Sequence, residues 1–62
     1  MSRLATIDDV MDMLSVKQGK GYQIIRALNR ELEDQGYMTV NGRVPIDYLK
    51  ERFNLKDDDV RQ

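Results

Sequence analysis

The sequence of 62 residues contains neither cysteine nor histidine. Without cysteine, a disulfide framework and a thiolate metal site are excluded. Without histidine, the commonest general base and the commonest nitrogen ligand for a metal are missing. No apolar run approaches the ~20 residues that a membrane span requires, and the first residues lack the apolar stretch of a signal peptide. We therefore expect a cytoplasmic protein with no membrane contact that is not an enzyme.

Motifs for small ligands are equally scarce. Gly19-Lys20-Gly21 lacks the spacing and the preceding strand of a phosphate-binding loop. Asp57-Asp58-Asp59 offers oxygen atoms to a cation, but a solvated acidic run accounts for it better. The sequence therefore predicts no catalytic residue, no metal site and no cofactor.

Charge is distributed unevenly along the chain. The net charge is −1, yet residues 15–30 contain Lys17, Lys20, Arg26 and Arg30 and no acidic residue. Residues 1–14 and 54–62 each carry a net negative charge. The distribution of charge indicates partners better than its sum, so the basic segment is the first candidate for an interaction with nucleic acid.

A first helix is predicted from Ile7 to Leu14. Thr6 is a favourable N-cap, and Asp9 three residues later completes a capping-box pair. The apolar residues then recur with the spacing of one helical face: Ile7, Val10, Met11 and Leu14. We expect this face to be largely buried.

Residues 15–21 interrupt that periodicity with two glycines, which predicts a tight turn before a second helix. Apolar periodicity resumes at Ile24, Ile25, Leu28 and Leu32. Gly36 supplies a C-terminal stop. Gly21 lies one turn before Ile25, where it either lets the two helices approach closely or marks a flexible helix start.

Asn41-Gly42 between two β-prone runs predicts a hairpin with a type I′ turn, in which both central residues have positive φ. That turn would set Val40 opposite Arg43, Thr39 opposite Val44, and Tyr37 opposite Ile46. The inward side chains would then be Tyr37, Val44 and Ile46. Pro45 suits a helix start, so a third helix is expected from about Pro45 to Phe53.

These elements predict an α+β, mainly α fold in the order helix, helix, β-hairpin wing, helix. We expect residues 1–53 to form one winged helix-turn-helix domain. Residues 54–62 are polar and acidic, and we expect them to form a disordered tail.

The outer face of the second helix has the residue types that read DNA. At 100° per residue, Gly19, Gln23, Arg26 and Arg30 lie opposite the apolar face. Arginine and lysine neutralise phosphates, and glutamine or arginine can form bidentate hydrogen bonds with base edges. The predicted DNA-binding residues are Lys17, Gln18, Lys20, Gln23, Arg26, Arg30, Asn41 and Arg43. A charged outer face is, however, common to amphipathic helices, and Arg43 could equally be a solvated turn residue.

The run from Ile7 to Ile25 resembles the opening of the small excisionase-like helix-turn-helix proteins, which are relatives of the MerR-type winged helix in phages and integrative elements. The matching positions are Leu14, Val16, Tyr22, Ile24 and Ile25, followed by the hairpin with Val44-Pro45 and a final helix. Two departures are Ser15 at a turn position that is usually glycine, and glycines at positions 19 and 21 early in the second helix.

The resemblance implies specific binding to double-stranded DNA, with the second helix in the major groove and the hairpin on the backbone or minor groove. It leaves two roles open, a recombination directionality factor that contacts a recombinase and a small transcriptional regulator. A module of this size makes a small interface, so dimers, tandem arrays or a protein partner are expected to add specificity. The alternative is a protein-interaction module that uses the acidic first helix and residues 31–34.

Overall fold

A computed structural model of the chain describes residues 3–55. Its elements in chain order are β1 (Leu4–Ala5), α1 (Ile7–Leu14), α2 (Gln18–Asp34), β2 (Val44–Pro45) and α3 (Ile46–Arg52). The fold is α+β and mainly helical, with helices in the predicted order, so the predicted fold class is confirmed.

Helix α1 has the predicted boundaries because its N-terminus carries the predicted capping box. The Asp9 backbone N–H donates to the Thr6 hydroxyl at 3.3 Å, and the Thr6 backbone N–H donates to the Asp9 carboxylate at 3.0 Å. Arg3 adds an ion pair with the same carboxylate at 2.9 Å. The Thr6 N–H first, and then the Arg3 guanidinium, lower the pKa of Asp9.

The turn between α1 and α2 contains only residues 15–17, so it is shorter than the predicted break. Ser15 adopts the left-handed conformation, with φ 55° and ψ 48°. The Val16 N–H donates to the Met11 carbonyl at 3.2 Å, which closes the end of α1. Ser15 therefore occupies the conformation for which a glycine is usual, and α2 begins early enough to include Gly19 and Gly21.

Close contact between α1 and α2 depends on Gly21, which is buried. A Cβ atom on Gly21 would lie 2.6 Å from Ile7 Cδ1 and 3.5 Å from Met11 Cγ. Of the two interpretations of Gly21, close approach of the helices is therefore correct, and the flexible helix start is not.

The core lies between α2, the two short strands and the other helices. Its buried apolar residues are Ala5, Val10, Ile25, Leu28, Leu32, Val44 and Leu49. The strands are antiparallel, with Leu4 opposite Pro45 and Ala5 opposite Val44. Helix α3 lies within the predicted range, and Pro45 immediately precedes it with φ −57°.

The predicted hairpin is correct in the pairing of Val40 with Arg43, but wrong in its turn type and in the pairs beyond the tip. Val40 pairs with Arg43 as predicted. Only Gly42 of the two central residues has positive φ, 78°, so the turn follows the type II pattern and not type I′. The predicted pairs Thr39–Val44 and Tyr37–Ile46 do not form, because Ala5 pairs with Val44 and Ile46 begins a helix.

Tyr37 was predicted to point inward, but it is 61% exposed. The cause lies in the end of α2, where Gly36 has φ 94° and the Tyr37 N–H donates to the Leu32 carbonyl at 3.0 Å. This left-handed ending directs the chain away from the core. Val44 is fully buried, as predicted, and Ile46 packs against the core.

Most of the predicted tail, from residue 56 onward, lies outside the described residues. Within residues 3–55, no helix is long and apolar enough to cross a membrane.

Candidate nucleic-acid interface

The part of α2 from residue 18 to residue 30 separates a buried side from a polar, basic side. Gly21, Ile25 and Leu28 are buried against the rest of the fold. The residues that point away from them are all exposed: Gly19, Lys20, Gln23, Arg26, Ala27 and Arg30. Together with Lys17 and Gln18 at the start of the helix, which are also exposed, they form what we call the basic face.

The cations of the basic face have no side-chain partner in the described part of the chain. Within residues 3–55, Lys17, Lys20, Arg26 and Arg30 take part in neither an ion pair nor a side-chain hydrogen bond. No acidic side chain occurs between Ser15 and Arg30. The positive end of the helix dipole lies at the same end of α2. This surface therefore combines four unpaired cations with two glutamines and small residues, which suits contact with a polyanion.

The last four residues of α2, at positions 31–34, are different, because Glu31 and Glu33 bind other parts of the protein. Glu31 accepts two hydrogen bonds of 2.8 Å from Arg52 and one of 2.6 Å from the Tyr48 hydroxyl. These donors, Arg52 before Tyr48, lower the pKa of Glu31 to about 2. The hydrogen bond that the Tyr48 hydroxyl donates to Glu31 raises the pKa of Tyr48. Glu33 accepts a hydrogen bond from Thr39. We call Glu31, Tyr48 and Arg52 the Glu31 cluster; its hydrogen bonds fix α3 against α2.

The turn at residues 40–43 is attached to α2 by a buried asparagine. The Asn29 amide donates hydrogen bonds to the carbonyls of Val40 and Arg43, at 3.2 and 2.9 Å. Asn29 is 8% exposed, and within residues 3–55 its Oδ1 atom has no hydrogen-bond partner. Asn29 directly precedes Arg30, so the turn lies beside the C-terminal limit of the basic face.

The structure therefore gathers the predicted site residues into two neighbouring groups. Six belong to the basic face, and Asn41 and Arg43 are exposed on the turn. Their contacts with DNA stay a prediction. Tyr22 is half-buried at the edge of the basic face. The described residues include no group of three or more carboxylates that could hold a metal ion.

Sequence reasoning missed Asn29 and the Glu31 cluster. For Asn29 a signal was present, because it lies four residues after Ile25 and therefore at the edge of the apolar face of α2, where a polar side chain needs a buried partner. For the Glu31 cluster there was no local signal, because Glu31 and Arg52 are 21 residues apart.

The fold and the basic face together define a small helix-turn-helix protein whose second helix presents cations to solvent. The chain is 46% identical over 51 residues to "ICEBs1 excisionase" of Bacillus subtilis (strain 168), and the match covers 82% of this chain and 80% of that protein. No family model matches the chain, and no solved structure matches it. The chain belongs to the family of small excisionase-like DNA-binding proteins of mobile elements.

Proposed function

We propose that this protein is a recombination directionality factor that binds specific sites in double-stranded DNA beside a recombinase. The observation that carries the proposal is the basic face, whose cations have no ionic partner within residues 3–55. The similarity to an excisionase favours a role in recombination over one in transcriptional regulation. The role is architectural, in that the protein positions DNA and the recombinase carries out strand exchange.

In the proposed complex, α2 enters the major groove with its N-terminal half. Gln18, Lys20, Gln23 and Arg26 would lie near base edges, and Lys17, Arg30 and Arg43 near phosphates. Glycine at position 19 and alanine at position 27 leave room for the helix backbone to approach the bases. The turn at residues 40–43 would follow the backbone or the minor groove, with Asn41 at its tip.

The proposal is tested by titrating the ¹⁵N-labelled protein with a random-sequence duplex and then with duplexes from the attachment region of the element that encodes it. We expect amide shifts concentrated at residues 17–30 and 41–43. With phosphate contacts from Lys17, Arg30 and Arg43, log affinity should fall with log salt with a slope of roughly −2.7. Absence of shifts at low salt, or shifts confined to α1 and α3, would overturn the proposal.

A further inference from the structure

An open groove of about 450 Å³ lies on the other side of α2 from the basic face. The end of α2, the segment that follows it, and α3 form its walls. Its apolar and acidic lining residues include Leu32, Tyr37, Met38, Pro45, Asp47 and Glu51. We call it the acidic groove.

The acidic groove exposes apolar surface that folding leaves uncovered. Met38 is 98% exposed and Tyr37 is 61% exposed, although both belong to residue types that bury large apolar areas. Neighbouring apolar side chains that remain exposed beside a concave surface are typical of protein-binding sites. Methionine adds a flexible side chain that adapts to the shape of a partner.

The charges of the groove all have one sign. Asp47 and Glu51 line it, and among residues 3–55 no lysine or arginine does. Within residues 3–55, neither carboxylate takes part in an ion pair, whereas the neighbouring Glu31 is neutralised by Arg52. A ligand that fits this groove therefore brings apolar groups for Met38 and Tyr37 and positive charge for Asp47 and Glu51.

Neither residues 56–62 nor the basic face of a second copy supplies such a ligand. Residues 56–62 contain three aspartates against one lysine and one arginine, so their net charge is negative. Apart from its cations, the exposed residues of the basic face are glycine, glutamine and alanine, so this face of a second copy offers charge without an exposed large apolar side chain. We therefore propose that the acidic groove binds a basic, amphipathic segment of a different protein.

The geometry allows this segment and DNA to be bound together. At 100° per residue, Leu32 and Gln35 project from the side of α2 opposite to Arg26 and Arg30. The groove carries negative charge and the basic face positive charge, so DNA is repelled from one and attracted to the other. Binding in the groove uses none of the predicted DNA-binding residues and does not require that the proposed function be correct.

The test is selection from a phage-displayed library of random peptides of roughly twelve residues against the immobilised full-length protein. We expect the selected peptides to combine aromatic or aliphatic residues with two or more lysines or arginines. Synthetic copies should shift the amide signals of Tyr37, Met38, Asp47 and Glu51 in the ¹⁵N-labelled protein. They should bind as well in the presence of saturating duplex DNA as in its absence.

Charge reversal makes the test specific. The double variant Asp47→Lys/Glu51→Lys should bind the selected peptides at least about tenfold more weakly. Its matched control is Asp8→Lys/Asp12→Lys, which changes the same charge with the same spacing on α1 and should bind the peptides normally. Met38→Ser should also weaken binding, whereas Val40→Ser, which alters an exposed apolar residue outside the groove, should not.

Three results would overturn the proposal. They are selected peptides without basic residues, peptide shifts that map to the basic face, and peptide affinity that is equal in the groove variants and the wild type. Shifts of the groove signals with protein concentration alone would assign the surface to a second copy instead. Because the DNA titration is made on the same sample, failure of peptide binding is distinguishable from failure of DNA binding.

Discussion

Two parts of α2, residues 18–30 and residues 31–34, carry the same number of charged residues but use them differently. In residues 18–30, Lys20, Arg26 and Arg30 make no ion pair within residues 3–55. In residues 31–34, Glu31 binds Arg52 and Tyr48, and Glu33 binds Thr39. One part of the helix is therefore engaged in holding the fold together, and the other is left for a different molecule. Charge content alone does not distinguish these roles, whereas the partners of each side chain do.

The largest effect on DNA binding is expected from removing positive charge in residues 18–30 of α2. Arg26→Gln/Arg30→Gln should weaken DNA binding by roughly 100-fold near physiological salt and reduce the salt slope by about 1, since Arg30 contacts a phosphate and Arg26 a base edge in the proposed complex. The free energy of unfolding should change by less than about 0.5 kcal/mol, because both residues are exposed. Fluorescence anisotropy at several salt concentrations measures the DNA affinity and the salt slope, and urea denaturation measures the free energy of unfolding.

The control for that variant is Arg3→Gln/Lys50→Gln, which removes the same charge outside the basic face. If the control loses as much DNA affinity as the arginine variant, net charge and not the basic face determines binding.

A smaller effect is expected from the residue that joins the two candidate DNA-binding elements. Asn29→Ala removes the donors to the Val40 and Arg43 carbonyls and should lower the free energy of unfolding by about 2 kcal/mol. Amide exchange at residues 40–43 should accelerate. Asn41→Ala at the exposed tip is the matched control and should cost less than about 0.5 kcal/mol. Equal losses in urea denaturation would contradict the role assigned to Asn29.

The two glycines at the start of α2 should respond differently to alanine. Gly19→Ala meets no atom within 4 Å and should stabilise the protein by up to about 1 kcal/mol through helix propensity. Gly21→Ala should gain less, because its Cβ would displace the Ile7 side chain. Thermal unfolding of the two variants measures the difference in their stability. A larger gain in stability for Gly21→Ala would show that α1 does not pack closely against α2 at Gly21.

The smallest effect concerns pH and the C-terminal half of α2. The pKa of Glu31 is about 2 in the folded protein, below its ordinary value of 4.5. The carboxylate therefore contributes stability above pH 4.5, and that contribution disappears as the pH falls from 4.5 towards 2. Glu31→Gln and Arg52→Gln should both flatten the pH dependence of unfolding in this window. An unchanged slope in both variants would show that the Glu31 cluster is not formed in solution. DNA binding at neutral pH should be retained.

How much could be predicted from sequence depends on whether the determining signal is local. The boundaries of α1 followed from Thr6 and Asp9, which act within one helical turn. The exposure of Gln23, Arg26 and Arg30 followed from helical periodicity. The orientation of Tyr37 did not, because alternation from the Asn41-Gly42 turn assumes a longer ladder than the chain forms.

The missing information was the pairing of β2 with β1. A strand of two residues, Leu4–Ala5, has no detectable periodicity, and its partner is about forty residues away. The positions of the candidate site residues were thus predictable from the helix that carries them. The Asn29 contacts that fix the turn beside this helix were not, since they depend on tertiary packing.

The attachment of the turn to α2 has a mechanical consequence. Because Asn29 donates hydrogen bonds to the carbonyls on both sides of Asn41-Gly42, it restrains the position of the turn relative to the helix. In the proposed complex, the spacing between major-groove and backbone contacts is then set by the protein. A duplex whose grooves do not match that spacing must itself deform, and the energy of that deformation depends on its sequence. The stiffness of one side-chain bridge would thereby become a means of selecting flexible DNA.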